Sequence, residues 1–170
     1  RIRDFYGREA VVIYPPFDDH FYKVVDAVRE YYLVVSAFVP YKKIDIVIRA
    51  FNELDRPLSI VGSGPLDSAY RKLRTSERIS FLGQVGGEEL RKLYSGARAL
   101  IFPTEEDFGI VPVEAQACGT PVLAYAKGGA LETVMSGVFF YEQSAEALRD
   151  AVLEFENKQF ARSKISQQLD

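Results

Sequence analysis

Residues Tyr31–Leu54 read YYLVVSAFVPYKKIDIVIRAFNEL. The opening YYLVVSAF is apolar on both faces of an extended chain, as a strand covered from both sides requires. Pro40 then sits at an expected helix start, and in KKIDIVIRAFNEL the apolar residues Ile44, Val47, Ile48, Phe51 and Leu54 recur at helical spacing. A doubly buried strand running directly into an amphipathic helix is the βα unit of a parallel sheet.

The same alternation continues along the chain. LSIVG precedes a helix expected from about Pro65, RISFLG one from about Glu88, and ARALIFP leads into one near Ile110. PVLAY is followed by a short helical piece after Gly128-Gly129, and GVFFY by a helix from about Ala145. Upstream, EAVVIYPP has the composition of a short strand stopped by two prolines. Apolar strands alternating with helices imply a doubly wound, Rossmann-like α/β domain with right-handed crossovers. Ligands in such sheets bind beyond the carboxyl ends of the strands, where strand order reverses. Counting YYLVVSAF as first, the order 3-2-1-4-5-6 sets the first and fourth strands side by side. Lys42 and Lys43 after one, and Glu105, Glu106 and Asp107 after the other, should then face a single crevice.

Composition narrows the functions available. The chain has 170 residues, of which 48% are hydrophobic and 26% charged, enough for one domain with a sizeable core. A formal net charge of -3 offers no bulk attraction for nucleic acid, so any anion site must be local. One cysteine, Cys118, and one histidine, His20, leave no disulfide framework and no zinc ligand set, and no metal is expected. No apolar run reaches the roughly 18 to 20 residues of a membrane span, and RIRDFYGREA does not resemble a signal peptide. A cytoplasmic location is the expectation.

The chemistry concentrates in Glu105–Glu114, EEDFGIVPVE. A helix starting near Ile110 would aim its unpaired N–H groups and positive dipole end into the crevice, a place for a phosphate. Gly109, without a Cβ, allows close approach to the backbone. Glu114 falls one turn further on, able to accept paired hydroxyls, while Glu106 precedes the helix. Taken alone, these residues fit equally well a solvated acidic turn with Glu114 favouring its helix terminus.

The E-x7-E arrangement with its internal Phe-Gly, followed by EAQACGTPVLAYAKGGALETV, resembles the C-terminal, donor-binding half of GT-B glycosyltransferases of family GT4. That retaining group includes many mannosyltransferases. The resemblance runs from VIYPPFD through VSAFVPYKKIDIVIRAFN, LSIVGSGP, ISFLGQV and LYSGARALIFPTEEDFG to about Tyr141. It implies that Glu114 holds the nucleotide ribose, that Glu106 contacts the donor sugar, and that the backbone of Phe108, Gly109 and Ile110 lines the sugar and diphosphate. Lys42, with Lys43 beside it, would neutralise the diphosphate, so no metal cofactor is implied. Many members carry an arginine where this chain has Ala37. The implied substrate is a nucleotide sugar, GDP-mannose favoured, transferred to a glycan or lipid-linked acceptor. An acceptor-binding N-terminal domain would be missing from this chain and could bring it to the inner membrane face. Without it the fragment should bind donor but not transfer.

Other features carry weaker signals. Gly62-Ser63-Gly64-Pro65 is a plain turn or a donor contact, since it lacks the third glycine of a dinucleotide fingerprint. Gln84 and Val85 match a loop that touches the nucleotide base in the family, and fit a surface turn equally. Gly128-Gly129 either ends a strand or permits close approach of the donor. Cys118 reads as core and His20 as solvated. The expected organisation is a linker with a leading strand over 1–18, the nucleotide-sugar-binding domain over 19–156, and a C-terminal crossover helix or tail over 157–170. Two other classes remain: a noncatalytic nucleotide-binding or protein-interaction module, and an NAD-binding oxidoreductase domain. The second is disfavoured, because SAFVPYKK stands where its glycine fingerprint belongs.

Overall fold

The computed structural model describes residues 2–25 and 27–167. A short exposed helix, α1 (Ile2–Tyr6), opens the chain. The domain itself begins at β1 (Tyr31–Val35) and α2 (Ile44–Leu54), then continues with β2 (Leu58–Val61), α3 (Asp67–Leu73), β3 (Ile79–Gly83) and α4 (Gly87–Gly96). There follow β4 (Ala97–Phe102), α5 (Ile110–Ala117), β5 (Val122–Tyr125), α6 (Ala130–Thr133), β6 (Gly137–Phe140), α7 (Ala145–Glu156) and α8 (Arg162–Ser166).

All five strand pairings are parallel, and the sheet order is β3-β2-β1-β4-β5-β6. This is the expected doubly wound order, with the reversal between β1 and β4. Burial follows position in the sheet. β5 is buried throughout and β4 nearly so, whereas the edge strand β6 alternates partly exposed with buried residues and the edge strand β3 is buried only at Ile79. One face of the sheet packs on α2 and α7 through Tyr32, Phe51, Ile60, Leu148 and Phe155. The other packs on α4 and α5 through Leu33, Tyr94, Leu100, Ala115 and Cys118. At the domain's lower end α8 is tied down by Arg162, which donates to the carbonyls of Val25 at 2.6 Å and Ala27 at 2.8 Å.

Three local expectations are corrected. EAVVIYPP forms no strand: residues 7–18 are irregular, with Val11, Val12 and Ile13 all strongly exposed. Strand propensity describes fit to a pleated, half-buried surface, and this segment meets no sheet edge. Pro40 starts only a single 3-10 turn over Pro40–Lys42, after which Lys43 takes a left-handed φ of 54° and α2 begins at Ile44. Pro65 lies in a turn, and α3 starts two residues later at Asp67. Within the expected C-terminal segment 157–170 the chain breaks after α7 and forms α8; residues 168–170 lie outside the described residues, as does residue 1 of the expected linker.

Candidate functional site

The loops after β1 and β4 meet at the point of strand reversal. Thr104, buried, donates its Oγ1 to the Tyr41 carbonyl at 3.1 Å and fastens one loop to the other. Between them lies an open crevice of about 790 Å³ lined by Tyr41, Lys42, Lys43, Glu105, Glu106 and Asp107, with Gly128 and Gln143 on its wall. The two charge sets expected to share a crevice do so. Lys42 donates its Nζ to Glu106 Oε1 in a close ion pair whose side chains are only 16% and 26% exposed. In so sheltered a place the attraction is screened less than on an open surface.

The loop Glu105–Gly109 is supported from behind by the start of α6. Gly129 donates its N–H to the Glu106 carbonyl at 2.7 Å, and Thr133 donates its hydroxyl to the Phe108 carbonyl at 3.3 Å. A Cβ on Gly129 would lie 2.4 Å from the Phe108 carbonyl oxygen, and one on Gly128 would lie 2.4 Å from that of Glu106. The close approach these glycines permit is therefore to the protein's own loop. From the other side the Phe108 ring packs against Tyr14 at 5.5 Å, and Tyr14 donates to Glu132 Oε2 at 3.1 Å. Gly109 then turns the chain into α5 at a φ of 84°. Having no side chain, this N-cap cannot itself cap the first amides of α5, those of Ile110 and Val111, while Pro112 has none to offer.

Glu114, one turn into α5, is half-buried and points toward α4, outside the residues that line the Lys42 crevice. Tyr94 donates its hydroxyl to Glu114 Oε2 at 2.9 Å, and the Tyr22 phenol lies near the same carboxylate. Burial holds Glu114 above the ordinary carboxylate range, with the two phenols opposing that rise. Burial and the neighbouring carboxylate push Tyr22 up to about 12 and Tyr94 well above the usual phenol value, so both remain donors.

The remaining expected residues are dispersed. Gly62 and Gly64 have φ of 133° and 156°, and a Cβ would stand 1.8 Å from the Ser36 carbonyl oxygen at the first and 2.7 Å from that of Phe38 at the second. They pack the β2 loop onto the β1 loop and do not line the crevice. Gln84 is exposed, and Val85 packs against the apolar layer that holds Tyr94. Ala37 is exposed two residues beyond β1. Cys118 is fully buried, which pushes its thiol up to about 11, in keeping with a core residue. The His20 side chain is 99% exposed.

Sequence reasoning missed Tyr94, Tyr22, Tyr41 and Gln143. Tyr94 follows Leu90 and Leu93 at helical spacing and is indistinguishable there from a core aromatic; Gln143, donating to the Pro103 carbonyl at 2.8 Å, has no sequence signal. Among the described residues, no three or more histidine, cysteine or acidic side chains gather where they could hold a metal ion, and no helix is long and apolar enough to cross a membrane.

A family model described as Glycosyl transferases group 1 matches residues 18–169. The D-inositol 3-phosphate glycosyltransferase of Mycobacterium sp. (strain KMS) is 40% identical over 119 residues, covering 61% of this chain and 27% of that protein. A GDP-mannose-dependent monoacylated alpha-(1-6)-phosphatidylinositol monomannoside mannosyltransferase of Corynebacterium glutamicum is 38% identical over 114 residues, 58% of this chain and 30% of its own length. The chain thus spans less than a third of these two curated relatives. Among solved structures, the sucrose-phosphate synthase from Thermosynechococcus elongatus superposes with a TM-score of 0.73 at 25% identity, over 90% of this chain and 49% of that one.

Proposed function

The chain belongs to the group 1 glycosyl transferases, and we propose that it binds the nucleoside diphosphate sugar donor of a retaining hexosyl transfer, with GDP-mannose preferred. The observation that carries this reading is the convergence of Lys42 and Glu106 on the loop that feeds the amides of α5. Lys42 and those amides would hold the diphosphate and take up the charge that develops on it as the sugar leaves. Glu106 would engage the hydroxyls of the transferred sugar. Glu114 would accept from the ribose.

The diphosphate carries negative charge, so its approach draws Lys42 away from Glu106 and releases that carboxylate toward the sugar. Lys43 supplies a second cation on the same wall. The acceptor, a glycan or lipid-linked alcohol, would be held by an N-terminal domain outside this chain, so donor binding without transfer is the expected behaviour here. Saturation-transfer NMR with GDP-mannose, UDP-glucose, ADP-glucose and NAD, repeated with EDTA, tests the reading. Metal-independent signals from a nucleotide sugar are expected. Signals from NAD alone would overturn it, loss of binding with chelator would overturn the metal-free part, and stronger UDP-sugar binding the preference for GDP-mannose.

A further inference from the structure

We propose that Tyr94 is a positioning residue for Glu114, fixing the carboxylate so that its remaining lone pairs face the ribose diol of a bound nucleotide. This rests on the reading of Glu114 as the ribose acceptor and adds to it a residue of α4, twenty positions earlier in the chain.

The geometry assigns the role. Glu114 is the half-buried acid of α5, and an unguided carboxylate on a helix can occupy several rotamers. Tyr94 occupies one oxygen, Oε2, at 2.9 Å. A carboxylate has about four acceptor sites, so even with both the Tyr94 and Tyr22 phenols beside it, capacity for a pair of hydroxyls is left. Tyr94 can hold that line because it is itself immobilised. Its ring is fully buried and meets the Tyr22 ring edge-on at 6.1 Å. Its carbonyl accepts from Thr120 Oγ1 at 2.6 Å, and the preceding Leu93 carbonyl accepts from Tyr31 Oη at 2.9 Å. The end of α4 is thus pinned to β1 and to the turn before β5, and the phenol has no freedom to swing. A site group held in one rotamer by a packed neighbour loses less entropy when ligand arrives.

The polar groups facing Glu114 are Tyr94 from α4, Tyr22 from the segment before β1, and Cys118 on its own helix. Both phenols stabilise the ionised carboxylate against burial. Loss of the Tyr94 hydroxyl therefore moves Glu114 toward its protonated form, which is a poorer acceptor. Affinity that depends on the carboxylate is present above the Glu114 pKa and lost as pH falls through it.

The test is the affinity of the chain for GDP and for dideoxy-GDP, which lacks both ribose hydroxyls, in the parent, Tyr94→Phe and Glu114→Gln proteins and the double variant. Phenylalanine keeps the ring and leaves no cavity, and circular dichroism reports the fold. Expected is a loss of GDP affinity on the order of tenfold in Tyr94→Phe with no change for dideoxy-GDP. The fall in GDP affinity on acidification should begin at higher pH in that variant. On the Glu114→Gln background, Tyr94→Phe should cost nothing further. A purely structural role would weaken both nucleotides alike, or add its loss on the glutamine background, and either result overturns the proposal. If the parent itself fails to distinguish GDP from dideoxy-GDP, the ribose reading of Glu114 falls and the positioning role with it. If the parent distinguishes them and Tyr94→Phe does so equally, only the positioning role falls.

Discussion

Lys42 and Glu106, 64 residues apart in the chain, are ion-paired across the crevice. Each is the other's partner, so a ligand that recruits one must compete with the other. Their removal should consequently have opposite effects on a free nucleoside diphosphate. Lys42→Ala deletes the cation, and GDP binding should weaken by about 1.5 to 3 kcal/mol. Glu106→Ala deletes the competitor, and GDP binding should hold steady or tighten by up to about 1 kcal/mol, while GDP-mannose loses its sugar contact. Calorimetry with both ligands reads all four values. Equal weakening of GDP by both substitutions would show that the pair acts only as a structural clasp.

Ala37 stands where the resemblance to GT4 enzymes implies an arginine, and it is exposed beside the start of the Lys42 loop. Ala37→Arg should tighten GDP binding by about 1.5 to 3 kcal/mol, less about 2 kcal/mol at most for ordering the side chain. The dissociation constant from calorimetry is the readout. An unchanged value means that Lys43 already supplies the second charge.

Gly129 has an ordinary helical φ of -62°, so its lack of a side chain is a matter of space and not of backbone conformation. A methyl there would press on the Phe108 carbonyl and Cα at 2.4 and 2.5 Å. Gly129→Ala should therefore push the loop Glu106–Phe108 toward the crevice. Overpacking of this kind costs about 1 to 3 kcal/mol of stability, and GDP-mannose affinity should fall with it. Thermal unfolding and calorimetry measure the two effects. A stable variant with parental affinity would mean the loop yields at no cost to the site.

The strand order and the sharing of one crevice by two charged loops were legible because they follow from few constraints. Doubly apolar strands must be covered on both faces, which points to the doubly wound class, and 3-2-1-4-5-6 is the usual order of that class, the one this sheet adopts. EAVVIYPP misleads because its β-branched residues report only that it could sit in a sheet, whereas the six strands complete the sheet without it. Gly62, Gly64, Gly128 and Gly129 are visible as glycines, but whether the approaching atoms belong to ligand or protein depends on contacts between distant loops. The link from Tyr94 to Glu114 is invisible for the same reason: the hydroxyl of a tyrosine at an apolar helix position acquires meaning only when α4 and α5 pack together.

Away from the crevice, Glu156 ends α7 and is gripped by Arg56 through two hydrogen bonds of 2.9 and 3.1 Å, with Tyr32 donating at 3.2 Å. These contacts, Arg56 foremost, hold its carboxyl below the ordinary range. A depressed pKa means that the contribution to stability is present at neutral pH and lost as pH falls below about 4.3 toward the folded-state value. Glu156→Gln should destabilise the protein by about 1 to 3 kcal/mol at pH 7, with the difference from the parent shrinking in acid. Urea unfolding at neutral pH and below pH 4 checks both magnitude and sign. A penalty independent of pH would assign the effect to packing and not to charge.

Glu114 and Glu106 occupy different surroundings, one hydrogen-bonded by Tyr94 on the α4 side and the other paired with Lys42 in the crevice, and this separation should appear as ligand specificity. If Glu114 accepts from the ribose, which GDP and GDP-mannose share, Glu114→Ala should weaken both by about 1.5 to 3 kcal/mol. Glu106→Ala should weaken GDP-mannose alone. A solvated acidic turn predicts changes within about 0.5 kcal/mol for every combination. Because Glu114→Ala also leaves Tyr94 without its acceptor in a buried layer, a fall in melting temperature is expected, and affinities must be compared where circular dichroism shows the variant folded. If folded Glu114→Ala binds both ligands as the parent does, Glu114 has no part in donor binding and serves only to satisfy the Tyr94 phenol.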